Sequence, residues 1–419
     1  MVRHVGMDVH KKTAQVCILG EGAEEVQTRI PCTLEQIERF AKHRLRPEDE
    51  VVLEATTNTW AVVAILKRYV RKVTVSNPLL TRAIASAKIK TDKIDALVLA
   101  RLLRSGYLPA VWEPDERAQG IRKEMSIHAA LVADRTRLKN RIHSALAGRL
   151  IPVPVADLFS KKGREWLASA ALPEGVRIEV DRWRRQPATP EEEIAAHDQL
   201  LAERAYQDDR VRLLMTLPGH DYPAALSLMS ALGDISRFQN PDRAAGYLGL
   251  VPSTRASDDK VYHGPITKRG RSHARWMLVQ AAQHVASHPG PLGHFFRRLA
   301  ARKNRNVAVV ATARKLVTVA WHMLRNNEPY RYAQSQPTQN KLSALRVRVT
   351  GVPRRTGPAK GQPKPACCGS GQPTRLRPAL NAVYSSEGLP PSRTVNTLPA
   401  GERRLLQRTR LLLAPALPG

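Results

Sequence analysis

Acidic residues are scarce in this chain, 37 Asp and Glu against 67 Lys and Arg, and the resulting net charge of +30 excludes a near-neutral surface. A polyanion, nucleic acid first, is the expected partner. Aromatic residues make up only 5% of the chain, so base stacking on aromatic platforms is excluded as the main binding mode. The four cysteines, Cys17, Cys32, Cys367 and Cys368, show neither CxxC spacing nor a disulfide framework. That fits a reducing cytoplasm, gives no zinc site, and leaves oxygen ligands to hold any metal. No apolar run approaches the ~18 residues that a membrane span needs, and "MVRHVGMDVHKK" lacks the apolar core of a signal peptide, so a cytoplasmic protein without a membrane is expected. What is present is 42% hydrophobic residues in 419, enough for two or three domains.

Residues 1–115 read as α/β. "HVGMDVH" and "TAQVCIL" are short strands split by His10, Lys11 and Lys12, "EEVQTRI" is a third, and "TLEQIERFAKHRL" has helical spacing after a Thr33 cap. Strand "DEVVLEA", helix "TWAVVAILKRYV", strand "KVTVSN" and helix "KTDKIDALVLARLL" follow. From 116 to 205 the strands vanish. Steps of four and three from Ile121 pick out Met125, His128, Val132, Arg135, Lys139, Ile142 and Leu146, a broken heptad that predicts a coiled-coil or bundle arm and, through it, a homo-oligomer, dimer or tetramer. Residues 206–333 predict a second, mostly helical unit with a Pro218-Gly219 turn between helices. Residues 334–419 carry 14 Lys or Arg, 2 Asp or Glu, 12 Pro and 8 Gly, which predicts a disordered basic tail.

Against that basic background, four acids stand out. Asp8 and Glu54 end strands, and Asp92 and Asp95 share one face of a helix start at i and i+3. The order β-β-β-α-β-α-β-α matches an RNase H-like sheet, whose first and fourth strands are neighbours, so Asp8 and Glu54 emerge together. Clustered carboxylates repel one another and are tolerable when a cation sits among them. Oxygen ligands suit Mg²⁺ or Mn²⁺, and a pair of such ions ~3.5–4 Å apart activates the attacking oxygen and stabilises the leaving oxygen of a phosphodiester. Singly, each acid has a plainer reading: a turn residue for Asp8, a strand end for Glu54, a helix-dipole partner for Asp92. His10, beside Asp8, is placed to touch the metal, but reads first as a surface histidine of the hairpin.

"GMDVHK", "LEAT" and "KTDKIDALVLARLL" resemble the DEDD signature of the RuvC-like N-terminal domain of insertion-sequence 110 family transposases. "LPGHDYPAALSLMSALGDISRFQNPDRAAGYLGLVP" and "GPITKRGRSHARWMLVQAA" resemble the family's C-terminal transposase domain, "GLVPS" and "GPITKRGRSHAR" being most similar to the insertion-sequence 1111 subgroup. The resemblance covers roughly residues 1–333. It implies a recombinase guided by a structured RNA that pairs with donor and target double-stranded DNA, four catalytic, metal-binding acids at Asp8, Glu54, Asp92 and Asp95, and a catalytic serine at Ser257 within "GLVPSTRASDDK". Asp258 departs from the family pattern, which has Gly there; its charge hinders a phosphate unless Arg255, Lys260 or a metal offsets it. Ser253 is the alternative nucleophile.

Arg255 and Lys260, with Lys268, Arg269, Arg271 and Arg275 at a helix start, are the expected nucleic-acid contacts, since few acids lie nearby to balance them. Pro218-Gly219 offers backbone N–H groups to phosphate or is an ordinary helical hairpin. Three other functions stay open: a junction nuclease that uses the acids and water, a decayed nucleic-acid-binding relic, and an actin-like ATPase. The last lacks a second Gly-rich phosphate loop.

Overall fold

A computed structural model of the chain describes residues 2–20, 22, 24–85, 91–184, 190–257, 260–352 and 379–392. They form two compact units, Met1–Pro114 and Asp115–Gly419.

The first unit is a five-stranded mixed sheet of β1 (His4–Val9), β2 (Thr13–Leu19), β3 (Glu25–Pro31), β4 (Glu50–Glu54) and β5 (Lys72–Ser76), in the order β3-β2-β1-β4-β5. The first three strands run as an antiparallel meander, and β4 and β5 add parallel to β1. Alternation assigns the faces. Val5, Met7 and Val9 pack with Ile37 and Phe40 of α1 (Leu34–Arg44) and with Val62, Val63 and Leu66 of α2 (Thr59–Leu66). A short helix α3 (Pro78–Ile84), capped by Asn77, follows β5.

The opposite face carries α4 (Asp92–Ser105). Its Ala96 and Ala100 meet Cys17 and Leu19, and its Leu99 and Leu103 meet Val52. The ends of α4 are fixed locally: the Thr91 hydroxyl accepts from the Ile94 N–H, and Gly106 closes the helix at φ 73°, a conformation glycine adopts without strain. Gly6 sits under the middle of α4. A Cβ there would overlap the Ala96 carbonyl, so the bare backbone of β1 lets the helix lie flat on the sheet.

Among its described residues, the second unit is helical apart from one hairpin. Its helices are α5 (Glu116–Ala147), α6 (Lys161–Ser169), α7 (Glu174–Arg184), α8 (Pro190–Tyr206), α9 (Asp209–Leu214), α10 (Tyr222–Leu232) and α11 (Pro241–Tyr247). After the hairpin β6 (Pro252–Ser257) and β7 (Lys260–Ile266) come α12 (Ser272–Val285), α13 (Pro291–Arg302), α14 (Arg305–Asn326), α15 (Ser335–Thr350) and α16 (Leu380–Ser386). The core centres on α10, α12 and α14. By length and hydropathy α14 could cross a membrane, contrary to the absence of such a run expected from the sequence; half of its apolar stretch is buried in this core, between α11, α12 and α13.

The long arm α5 is one continuous helix. Four of the five apolar positions of its broken heptad, all but Val132, are occupied within the chain: Ile121 and Met125 enter the main core beside α8 and α10, and Ile142 and Leu146 join Leu158, Leu167, Val176 and Val180 in a smaller cluster with α6 and α7.

The expectation of a disordered tail from residue 334 is corrected for 334–352 and 379–392. Leu342 and Leu345 of α15 are buried in the main core, and the Tyr384 side chain is fully buried with its hydroxyl donating to the Tyr330 carbonyl at 2.6 Å. Composition misleads there because a few apolar residues at the right spacing anchor an otherwise polar helix. The rest of the tail lies outside the described residues. Lys341 of α15 ties the fold further, its buried ammonium donating to the carbonyls of Met215, Leu217 (2.8 Å) and His220 (2.9 Å) around the Pro218-Gly219 turn. Burial pushes that ammonium down to about 8, opposed by the nearby Asp221 charge.

Candidate active site

Asp8 lies near the end of β1 on the face that α4 covers, two residues beyond Gly6 and opposite Gln15 of β2. Parallel pairing of β1 with β4 runs from His4–Glu50 to Met7–Leu53, so the next step along the register sets Asp8 beside Glu54 on the same face. Asp92 opens α4 directly after its cap, and Asp95 follows one turn on, its N–H donating to the Thr91 carbonyl at 2.9 Å. The first turn of α4 is held to the sheet by side-chain amides. Gln15 Nε2 donates to Gln27 Oε1 at 3.1 Å, and Gln27 Nε2 donates to the Lys93 carbonyl at 3.3 Å.

His10 completes the group. Its Nε2 stands 3.1 Å from Asp8 Oδ2 and 3.4 Å from Asp92 Oδ1, and donor atoms of the three residues lie within 4.8 Å of one another. The structure thus brings Asp8 and Asp92 together with His10, which is exposed, as the sequence suggested, and still stands beside both acids. Glu54 and Asp95 are not in this tight triad. Asp95 is felt electrostatically: burial raises the Asp8 pKa most, His10 opposes that, and the charges of Asp95 and then Asp92 raise it further. Ionising Asp8 in these surroundings is costly, and a cation beside it would relieve that cost. Two carboxylates and an imidazole within one coordination sphere fit a divalent cation.

Ser257 is the last residue of β6, paired with Lys260 across the hairpin, and both are exposed. Arg255, opposite Tyr262, is exposed as well. Asp258 lies outside the described residues. Ser253 sits near the hairpin base, where its hydroxyl donates to the Pro265 carbonyl at 3.1 Å. This hairpin went unread in the sequence because its residues are exposed on both faces, which leaves no alternating pattern.

Below the hairpin, the backbone of residues 268–270 is pressed against 247–249. A Cβ on Gly249 (φ 69°) would meet the Arg269 backbone, and one on Gly270 (φ 71°) the Tyr247 carbonyl. Arg275 fastens this contact by donating to the carbonyls of Leu248 at 3.1 Å and Arg269 at 2.9 Å, so part of its guanidinium serves the fold. Lys268 and Arg269 are exposed, and Arg271 is half-buried. Sequence reasoning missed two arginines near Arg271. Arg122 of α5 donates to the carbonyls of Ser230 (2.7 Å) and Ala231 (3.3 Å), and Arg237 donates to that of Leu232 at 2.8 Å while stacking on Phe238 and Tyr247. All three have lowered pKa values, chiefly through burial, and for Arg122 also through the charge of Arg271.

Two family models match the chain. One, for a DEDD transposase of the IS110 type and described as "Transposase", covers residues 5–150; the other, "Transposase IS116/IS110/IS902 family", covers 211–297. Together they span more than half of the chain. The transposase for insertion sequence element IS1111A of Coxiella burnetii is 25% identical over 349 residues, covering 79% of this chain and 92% of that one. The pilin gene-inverting protein of Moraxella bovis is 24% identical over 343 residues, 78% of this chain and 97% of its own. A Sinorhizobium fredii protein, y4qE, is 30% identical over 206 residues, which make up 46% of this chain and 48% of that protein.

Proposed function

The chain belongs to the IS110 family of transposases, and from that premise we propose that it is a site-specific DNA recombinase whose RuvC-like first unit carries a carboxylate metal site and whose Ser257 is the nucleophile. The observation that supports this reading best is the meeting of Asp8, at the end of a central strand, with Asp92, at the start of the helix laid across it. Asp8, Asp92 and, through their positions, Glu54 and Asp95 would hold Mg²⁺ or Mn²⁺. When bound, such an ion polarises the scissile phosphate and eases loss of the proton from an attacking hydroxyl.

The serine hydroxyl, carried on an exposed hairpin, attacks phosphorus; a phosphoserine bond replaces the DNA phosphodiester, and a DNA hydroxyl leaves. Because one phosphoester is exchanged for another, the ends can be rejoined to a new partner without ATP. Arg255, Lys260, Lys268, Arg269 and Arg271 supply positive charge for the backbone of donor and target DNA. A structured guide RNA is the further partner the family implies, and the net charge of +30 suits it. Holding two DNA sites calls for a dimer or tetramer.

The test is cleavage of labelled donor DNA with divalent metal and guide RNA. Asp92→Asn and Glu54→Gln should each cut cleavage by about a hundredfold or more while the far-ultraviolet spectrum stays native. Cleavage at the wild-type rate by Asp95→Ala would remove the four-acid site.

A further inference from the structure

The carboxylate site as proposed uses oxygen ligands alone, yet a nitrogen donor stands close to both Asp8 and Asp92. His10 Nε2 is 3.1 Å from one carboxylate oxygen and 3.4 Å from the other. Around an octahedral ion with bonds of about 2.1–2.2 Å, adjacent donor atoms lie about 3.0–3.1 Å apart, and opposite ones about 4.3 Å. The His10 distances are close to those of neighbouring ligands on one ion, and the whole triad fits within 4.8 Å.

The backbone that carries the imidazole is also held in place. It sits at the head of the tight β1–β2 turn, where the His10 N–H donates to the Thr13 carbonyl at 2.9 Å and the Asn58 side-chain amide donates to the His10 carbonyl at 3.4 Å. The residue lies two positions after Asp8, so the strand that presents the carboxylate also presents the ring.

We infer that His10 is a nitrogen ligand of this site and that it biases the site toward Mn²⁺ over Mg²⁺. The inference rests on the carboxylate-site reading above. Mg²⁺ takes oxygen ligands and parts reluctantly with water, whereas imidazole suits first-row transition ions, so a mixed oxygen and nitrogen set favours the latter. The half-exposed ring leaves the remaining coordination positions open toward solvent, where water and a phosphate oxygen could enter.

The direct readout is the electron spin echo of Mn²⁺ bound to the full chain, which detects a coordinated imidazole through its ¹⁴N nucleus. Wild-type protein should show ¹⁴N modulation, and His10→Ala should lose it while still binding Mn²⁺. Free Mn²⁺ titrations should show His10→Ala weakening Mn²⁺ about tenfold, while competing Mg²⁺ changes by less than about twofold. Asp8→Asn should abolish binding and so identify the site. Mn²⁺ that binds, depends on Asp8 and shows no ¹⁴N modulation would overturn the role of His10 and leave the carboxylate site standing. Absence of any Asp8-dependent Mn²⁺ binding would overturn both.

Discussion

Gly6 of β1 lies directly beneath α4, where a Cβ would overlap the Ala96 carbonyl and stand 2.6 Å from the Ala100 nitrogen. Both neighbours are backbone atoms and cannot rotate away. The missing side chain therefore sets the height of α4 above the sheet, and with it the distance from Asp92 to Asp8. Gly6→Ala should destabilise the first unit by about 3 kcal/mol, at the upper end of the cost of overpacking. It should also reduce cleavage in protein that remains folded at low temperature. Thermal melting beside cleavage at 15 °C measures the two effects separately, and an unaltered rate would show that the helix height is immaterial.

Asp8 costs stability in exchange for its place in the site. Its pKa is raised on folding, so the ionised form is the penalised one; the penalty is present at neutral pH and disappears as pH falls through the folded value. Metal-free Asp8→Asn should therefore melt above wild type at pH 7. Adding Mn²⁺ should raise the wild type toward the mutant and leave the mutant unchanged. An Asp8→Asn protein that melts lower would contradict the repulsion.

Buried histidines make the second unit sensitive to acid. Burial lowers the His220 pKa to about 4, and lowers those of His273 and His288 as well. Below the ordinary value near 6.5 the unfolded chain takes up protons that the folded one refuses, so stability falls as pH drops from about 6.5 toward 4. For His220 alone the loss is on the order of 3 kcal/mol. Melting of His220→Gln from pH 7 to 4.5 should follow a visibly shallower slope than wild type. Parallel slopes would mean that His220 does not titrate as described.

The ordered part of the tail should be indispensable. Cutting after Ala333 removes Leu342, Leu345 and the Lys341 ammonium, and should leave the second unit unfolded or aggregated. Cutting after Ser392 leaves every described contact in place and should preserve the melting temperature. Lys341→Met should cost about 2–4 kcal/mol, because three carbonyls lose a charged donor at once. Equal melting of the two truncations would return 334–352 to a dispensable tail.

The sheet was legible because its strands alternate or run apolar between turn residues, and α4 because Thr91 and Gly106 mark its ends. The meeting of Asp8 with Asp92 was legible only through the expected strand order and a helix closing over that edge of the sheet. His10 was legible beside Asp8, but not beside Asp92, which lies 82 positions away with no local pattern to join them. The β6–β7 hairpin and α15 escaped for a shared reason: each carries few apolar residues, and what fixes them is backbone pairing in one case and a few buried side chains in the other. Arg122 and Arg237 went unremarked, because nothing local in the sequence shows that their guanidinium groups turn onto the carbonyls at the end of α10.

The central claim is that a serine on the exposed hairpin, rather than water, takes the DNA phosphate. Its most direct measurement is a denaturing gel of the full chain incubated with guide RNA, Mn²⁺ and end-labelled donor DNA. The account predicts a protein-linked labelled strand that vanishes in Ser257→Ala and persists in Ser253→Ala, whose wild-type hydroxyl is engaged with the Pro265 carbonyl. Labelled ends released without any protein adduct, from wild-type protein under cleaving conditions, would contradict it and leave hydrolysis as the reaction.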